Sequence, residues 1–210
     1  VIRVDGRSFS RFTESRFDKP FDPRMSALMR TTAEALLVEL AGSTPTPRAT
    51  RSREKLVSIS AAIASSTFSL AVGERACFDS RVWVGATDQR VVDYFLWRQA
   101  DATRCALNGW CYWMLRKEGQ TVAQATATLE RQSVGWKNEL LFQRGINFNE
   151  LPAWQRRGVG LRWETYDKPA VNPKTGEAVT ATRRRVAVVE ELPMKEEYAR
   201  WLRELLGIRD

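Results

Sequence analysis

The chain opens Val1-Ile2-Arg3-Val4-Asp5-Gly6-Arg7-Ser8-Phe9-Ser10-Arg11-Phe12, and the fold is read outward from this stretch. A short β-branched run ends in a carboxylate, Asp5, followed by Gly6 and a segment in which arginines alternate with small and aromatic residues. Such a pattern predicts a strand that delivers a carboxylate and a phosphate-friendly turn to one place, the geometry of a metal–nucleotide site. Asp5-Gly6 also suits a plain turn after an edge strand, because Asp-Gly is a common turn signal.

With 210 residues, 43% hydrophobic content and 28% charge, the chain can bury a real core, as one domain or one domain with an appendage. Lys+Arg at 33 against Asp+Glu at 25 gives +8, a field that favours encounter with a polyanion without specifying one. Histidine is absent and Cys77, Cys105 and Cys111 show no CxxC spacing, which excludes the usual zinc ligand sets. An enzyme built from this composition has to rely on a metal, carboxylates, lysine or substrate positioning. Sparse, unpaired cysteines fit a reducing compartment, and no apolar run approaches the roughly 18 residues that span a bilayer. A cytoplasmic protein without membrane contact is expected. The sequence begins at Val1 on the strand itself, as expected if a segment precedes it.

Residues 17–23, Phe-Asp-Lys-Pro-Phe-Asp-Pro, predict a loop entering a helix, with Asp22 as N-cap and Pro23 at the first helical position. That helix runs to about Leu40, and a second spans residues 52–72. A strand over 76–84 puts Phe78, Val82 and Val84 on one face and Asp79, Arg81 and Trp83 on the other. Asp88 or a neighbour caps a long helix over 90–116. On it Tyr94, Arg98, Asp101, Cys105, Asn108 and Tyr112 form one stripe, which either lines a site or holds an Arg98–Asp101 pair at i,i+3. A short helix over 121–131 follows. Residues 159–166 and 179–189 predict a hairpin about the turn at 172–177, and a last amphipathic helix covers 194–206. The run Arg183-Arg184-Arg185 reads as a charged strand edge or as phosphate contacts.

Four blocks resemble the tRNA-His guanylyltransferase family, in its bacterial and archaeal-like branch. They are the opening stretch; residues 17–22, close to F-x-K-P-x-D; Phe78-Asp79-Ser80-Arg81-Val82 with Tyr94-Phe95, Trp97-Arg98-Gln99 and Asp101; and Lys137-Asn138-Glu139-Leu140-Leu141-Phe142 with Gly145-Ile146-Asn147-Phe148-Asn149. Their order and spacing match across most of the chain. The resemblance implies an α+β fold with a polymerase-palm-like (ferredoxin-like) βαββαβ sheet and helices on one face, over residues 1–90. Residues 91–210 would add the long helix, a segment facing tRNA or nucleotide, the β-hairpin and the C-terminal helix, packed as one unit with the palm.

By the same resemblance the chain is a nucleotidyltransferase that extends tRNA 5′ ends in the 3′-to-5′ direction, with two Mg²⁺ ions, ATP or GTP as activator and nucleoside triphosphates as substrates. Two hard cations on oxygen ligands suit phosphoryl transfer, which leaves the protein little covalent work. Asp5 matches the first metal carboxylate and the Gly6 carbonyl a further ligand. The backbone of Gly6, Arg7, Ser8 and Phe9 would cradle the triphosphate, and Lys19 would neutralise it. Arg98, Lys137, Asn138 and Asn149 match positions facing nucleotide or tRNA, and the family's assembly implies a homotetramer.

The sequence also departs from the family. Ser10 and Thr103 stand where histidines are usual, and residues 103–109 lack the H-I-N-N-L-Y-N signature, which favours templated repair of 5′-truncated tRNA over dedicated tRNA-His modification. Between the first two helices the family carries an S-D-E β-hairpin with the second metal carboxylate. Residues 41–51 hold no acid, and Pro45 and Pro47 oppose strand pairing. Either a segment of the natural chain is omitted here, or the chain is a degenerate, non-catalytic RNA-binding or assembly protein; the intact distant blocks favour omission. Asp79 is a candidate substitute carboxylate from its strand position.

Overall fold

The computed structural model describes residues 1–41 and 52–208. In chain order these form β1 (Ile2–Gly6), α1 (Phe9–Glu14), α2 (Pro23–Ala41), α3 (Arg53–Val72), β2 (Phe78–Val82), α4 (Asp88–Lys117), α5 (Val122–Leu129), α6 (Val134–Phe142), a 3-10 turn (Phe148–Glu150), α7 (Ala153–Arg157), β3 (Gly160–Val171), β4 (Ala178–Val189) and α8 (Lys195–Leu206). The class is a mixture of helix and sheet. Among the described residues there are two antiparallel pairs, β1–β2 and β3–β4. The two further strands that a βαββαβ sheet needs would fall between α2 and α3, on a stretch that, with its missing S-D-E hairpin, lies outside the described residues.

Helix ends follow the chemistry of the caps. Ser52, Thr87, Thr121 and Ser133 each accept a backbone N–H at the start of α3, α4, α5 and α6, and α5 carries a full capping box with Gln124. The cap of α4 is Thr87, the neighbour of Asp88 that the sequence allowed for. Helix α1 was not anticipated; only its first residue, Phe9, belonged to the expected phosphate cradle over residues 6–9.

Among the described residues, three apolar clusters divide the core. In the first, Ala64 and Phe68 of α3 meet Ala76 and Phe78, with Val4, Phe9, Phe12, Met25 and Leu28 packed around them. The inner face of the β1–β2 ribbon is thereby sealed. The other two clusters lie along α4, which at ~1.5 Å per residue is long enough to serve both. Its first half packs Val92, Phe95 and Leu96 against Leu192, Tyr198 and Leu202. Its second half packs Ala106, Leu107, Cys111 and Leu115 against Ala125, Leu129, Leu141 and Phe148. Contrary to the sequence expectation, α3 is long and apolar enough in composition to cross a membrane. In this fold its Ser60, Ala64 and Phe68 are buried, the last two in the first cluster.

Candidate functional site

The ribbon β1–β2 alternates strictly. Val4, Phe78 and Ser80 turn inward, and Arg3, Asp5, Asp79 and Arg81 turn to solvent. In the antiparallel register Asp5 stands opposite Asp79 and Arg3 opposite Arg81. An acidic rung thus lies beside a basic one on the same outer face. Arg3 donates to the Asp5 carboxylate at 3.1 Å, and Arg81 lies 3.9 Å from that of Asp79. The two acidic side chains remain 61% and 52% exposed, so both carboxylates are open to a ligand. Behind them, the Ser60 and Ser80 hydroxyls meet at 2.7 Å in the buried seam between α3 and β2.

From Asp5 the chain turns through Gly6, Arg7 and Ser8 into α1. A Cβ on Gly6 would fall 2.4 Å from the Phe9 ring, so glycine is required there by the folding back of that ring, independently of any ligand. Phe9 packs its ring against Phe12, Phe68 and Phe78 at centroid separations of 5.4, 5.1 and 4.8 Å. Ser8 holds φ +61°, a left-handed conformation uncommon for serine. The expected phosphate cradle is only partly available. The Arg7 N–H is committed to the Cys77 carbonyl at 2.8 Å, extending the ribbon by one bond.

Lys19 lies in a cavity of about 680 Å³ bounded by α1, the 17–22 loop, the start of α2 and the aromatic residues Tyr112, Trp113 and Trp154. Its Nζ donates to Thr13 Oγ1 at 2.6 Å, and the same hydroxyl donates to the Phe9 carbonyl at 2.8 Å. Nζ also sits 5.7 Å from the centre of the Trp113 ring. Burial lowers the Lys19 pKa below the ordinary lysine value, against the opposing fields of Glu14 and Asp22.

Asp22 builds the loop that presents Lys19. It is buried, and it accepts the Asp18 N–H at 2.8 Å, the Arg24 N–H at 2.7 Å and the Arg24 guanidinium at 2.6 Å. The Arg24 guanidinium holds this carboxyl far below the usual carboxylate range. The expected cap at Asp22 with Pro23 opening the helix is therefore realised, with an ion pair added.

The remaining expected contacts are elsewhere. Arg98 donates to Asp101 at 3.1 Å and covers the Trp97 ring at 5.3 Å, while Arg104 takes the other Asp101 oxygen at 2.7 Å. The i,i+3 pair is thus present. Asn138 and Asn149 line a small concavity of about 190 Å³ beside α6, and the Lys137 carbonyl accepts the Cys111 thiol at 3.4 Å. Arg98, Lys137, Asn138 and Asn149 do not line the Lys19 cavity, nor do Asp5, Gly6, Arg7 and Ser8; Phe9 and Lys19 do. Arg185 pairs with Glu164 across the β3–β4 hairpin at 2.8 Å, and Arg184 covers the Trp163 ring at 5.0 Å, as on a charged strand face. Sequence reasoning missed Thr13, Trp113 and Trp154. The one available signal was the concentration of tryptophan, which says nothing of which rings converge.

The chain matches the family described as "Thg1 C terminal domain" over residues 89–198 and that described as "tRNAHis guanylyltransferase" over residues 1–46. It is 33% identical to "Probable tRNA(His) guanylyltransferase" of Drosophila melanogaster over 77% of this chain and 65% of that protein. It is 32% identical to the protein of the same name from Dictyostelium discoideum, over 90% of this chain and 82% of that one. The chain thus spans just under two thirds of the length of the Drosophila relative. The fold resembles that of the bacterial tRNA(His) guanylyltransferase (Thg1)-like protein solved with ATP, with a TM-score of 0.71 at 21% identity over 99% of this chain and 89% of that one. It also resembles the Saccharomyces cerevisiae tRNA(His) guanylyltransferase, with a TM-score of 0.67 at 24% identity over 75% and 82% of the two chains.

Proposed function

We infer the function of this chain from its family: it belongs to the tRNA(His) guanylyltransferases, and we propose that it adds nucleotides to the 5′ end of tRNA in the 3′-to-5′ direction. The observation that carries this reading is the short path from Asp5 through Gly6 and Ser8 into α1, whose Phe9 and Thr13 wall the cavity holding Lys19. A carboxylate suited to a hard cation and an ammonium suited to phosphate stand at the two ends of one segment. The size and aromatic wall of this cavity suit a nucleoside triphosphate with its phosphates toward Lys19, among the described residues the one cation of a lining that also holds Glu14, Asp18 and the Arg24-paired Asp22. The bacterial relative solved with GTP and with ATP supports a nucleotide in this fold.

Asp5, Asp79 and the Gly6 carbonyl are the groups that would hold magnesium. Among the described residues no three His, Cys, Asp or Glu side chains gather into a metal cluster. Two opposed carboxylates nevertheless fit an ion that keeps several waters and takes one or two carboxylates together with substrate phosphates. When bound, magnesium supplies positive charge to the oxygens of the transferring phosphoryl group. The protein's own residues bind and orient: Lys19 holds phosphate, Thr13 fixes the Lys19 ammonium, and the aromatic wall excludes water from the base. In the first step the tRNA 5′-monophosphate would take a nucleotidyl group from ATP or GTP with release of pyrophosphate, and in the second the 3′-hydroxyl of the incoming triphosphate would join that 5′ phosphate opposite a template, displacing the activating nucleoside monophosphate.

Ser10, Thr103 and the missing signature at 103–109 support repair of 5′-truncated tRNA over dedicated tRNA-His modification. We read β1, β2 and α3 as part of a palm-like sheet, and a tetramer as the working assembly. The test is to incubate the protein with a 5′-truncated, 5′-monophosphorylated tRNA, Mg²⁺ and all four triphosphates, and to read product length on a gel. Growth that Asp5→Ala removes is expected. No growth, with tRNA still bound, would replace this reading with that of a non-catalytic RNA-binding protein.

A further inference from the structure

A second cavity, of about 410 Å³, opens at the other end of the ribbon from the acidic rung. Three arginines from different elements converge on it: Arg3 from β1, Arg81 from β2 and Arg53 from the first turn of α3. Arg53 donates to the Val82 carbonyl at 3.3 Å, which fixes its guanidinium at the cavity edge. Arg81 is 77% exposed, and its ionic partner among the described residues, Asp79, is at the long distance of 3.9 Å. The cavity's aromatic wall is Trp83, stacked on Tyr94 with centroids 4.8 Å apart and planes 16° from parallel. Tyr94 backs one face of the Trp83 ring, and the indole is still 37% exposed.

We propose that this cavity binds one nucleotide unit of single-stranded RNA, its base stacked on Trp83 and its phosphates held by Arg53 and Arg81. Arg3 is engaged by Asp5 at 3.1 Å, whereas Arg81 has a carboxylate only at 3.9 Å and Arg53 holds a backbone carbonyl. Trp83 is too open to be core, and because Asp5 holds Arg3, it is Arg53 and Arg81 that leave positive charge at the cavity, without a close carboxylate among the described residues, for an anion to neutralise. Rigid stacked rings beside convergent guanidiniums are what recognition of single-stranded nucleic acid uses: stacking tolerates any base, and the cations track the backbone. A protein partner would call for a broader apolar face than a three-arginine cavity offers. Arg3 and Arg81 share the outer ribbon face with Asp5 and Asp79, so an RNA strand seated here runs toward the acidic rung. The inference rests on the proposed function and adds to it a place for the substrate strand, separate from the Lys19 cavity.

The experiment is fluorescence anisotropy of a short 5′-monophosphorylated single-stranded RNA over a salt series, with wild-type protein, Trp83→Leu, Arg53→Gln and Arg81→Gln, and with ATP binding measured in parallel. Trp83→Leu should weaken RNA binding by about tenfold with its salt dependence unchanged, and Trp83→Phe should restore most of the loss. Each arginine change should lower the slope of log K against log salt by about 0.7, one phosphate contact on a single strand. ATP affinity should stay at the wild-type value in all four variants. RNA binding by wild type that none of the variants alters would overturn the cavity and leave the proposed function standing. No RNA binding by wild type would overturn both. If Trp83→Leu does not fold, the two arginine variants decide. A change in oligomeric mass on sedimentation, with RNA affinity intact, would assign the cavity to a subunit contact and overturn the proposal.

Discussion

Asp5 and Asp79 face each other across the antiparallel register of β1 and β2, each flanked on its own strand by an arginine two residues away. Like charges directly opposed on a ribbon cost roughly 0.2–1 kcal/mol, and surface ion pairs return little of it. A pair kept in that arrangement is suited to sharing a cation.

Replacing either carboxylate should therefore leave the fold intact. In the absence of Mg²⁺, Asp5→Asn and Asp79→Asn are expected to match or exceed the wild-type thermal midpoint, while Asp5→Asn abolishes 5′ addition. Asp79→Asn should lower addition most at limiting Mg²⁺, with partial recovery as the ion is raised. A clear fall in midpoint for either variant would make that carboxylate structural.

Lys19 sets a pH dependence. Burial lowers its pKa, so on raising the pH the free protein loses this ammonium before ordinary surface lysines lose theirs. Anion binding favours the charged form. Triphosphate affinity should accordingly be highest on the acid side of the lowered value and fall as pH rises through it. Lys19→Arg, with a guanidinium that stays charged, should flatten that fall if it still binds, and Lys19→Met should weaken ATP binding at every pH. Isothermal titration across the alkaline range distinguishes these outcomes.

The three thiols should separate by reactivity. Cys77 and Cys105 are exposed, whereas Cys111 is fully buried and burial pushes its pKa up to about 11. Because the thiolate is the reactive form, a disulfide reagent at mildly alkaline pH should titrate two thiols in the native protein and the third only on unfolding. The sign for stability follows. The folded value is raised, so the unfolded chain ionises first, and stability should decline as pH climbs from the ordinary thiol value toward about 11. Cys111→Ala should remove that part of the decline, as followed by urea unfolding at several pH values.

The seam between α3 and β2 rests partly on one polar contact. Ser60 and Ser80 share a hydrogen bond at 2.7 Å, and Ser60 also donates toward the Leu56 carbonyl at 2.6 Å within its own helix. Ser60→Ala and Ser80→Ala should each destabilise by about 1 kcal/mol, the double variant by less than the sum, because a lone buried hydroxyl costs more than a missing pair. Additive losses in denaturant titrations would show that the two hydroxyls do not depend on each other.

Much of the local structure was legible in the residues. Asp22 announces its helix because a short polar side chain at the N-terminus satisfies amides that no helical carbonyl can reach. The alternation of Phe78, Val82 and Val84 with Asp79, Arg81 and Trp83 announces a strand buried on one face, although only Phe78–Val82 of the expected 76–84 forms it and Val84 is exposed. Helix α1 was not legible. Phe-Ser-Arg-Phe-Thr-Glu is too short to display a period, and the packing of Phe9 and Phe12 against Phe68, a tertiary contact, stabilises it. Likewise Arg7 looked free to bind phosphate until the ribbon was seen to continue to Cys77.

The sequence by itself determined helices α2, α3, α4, α5 and α8, the ribbon strands, the hairpin and the family, because caps, periodicity and motif blocks are properties of neighbours along the chain. Only the tertiary structure decided that Asp5 faces Asp79, that Lys19 lies beside Tyr112, Trp113 and Trp154 in one cavity, and that Arg3, Arg53 and Arg81 converge. Register between distant strands, and the burial that lowers a lysine pKa, depend on which surfaces meet when apolar area leaves water. No local pattern encodes that meeting, which is why Asp79 could be named from its strand position while its place opposite Asp5 needed the folded ribbon.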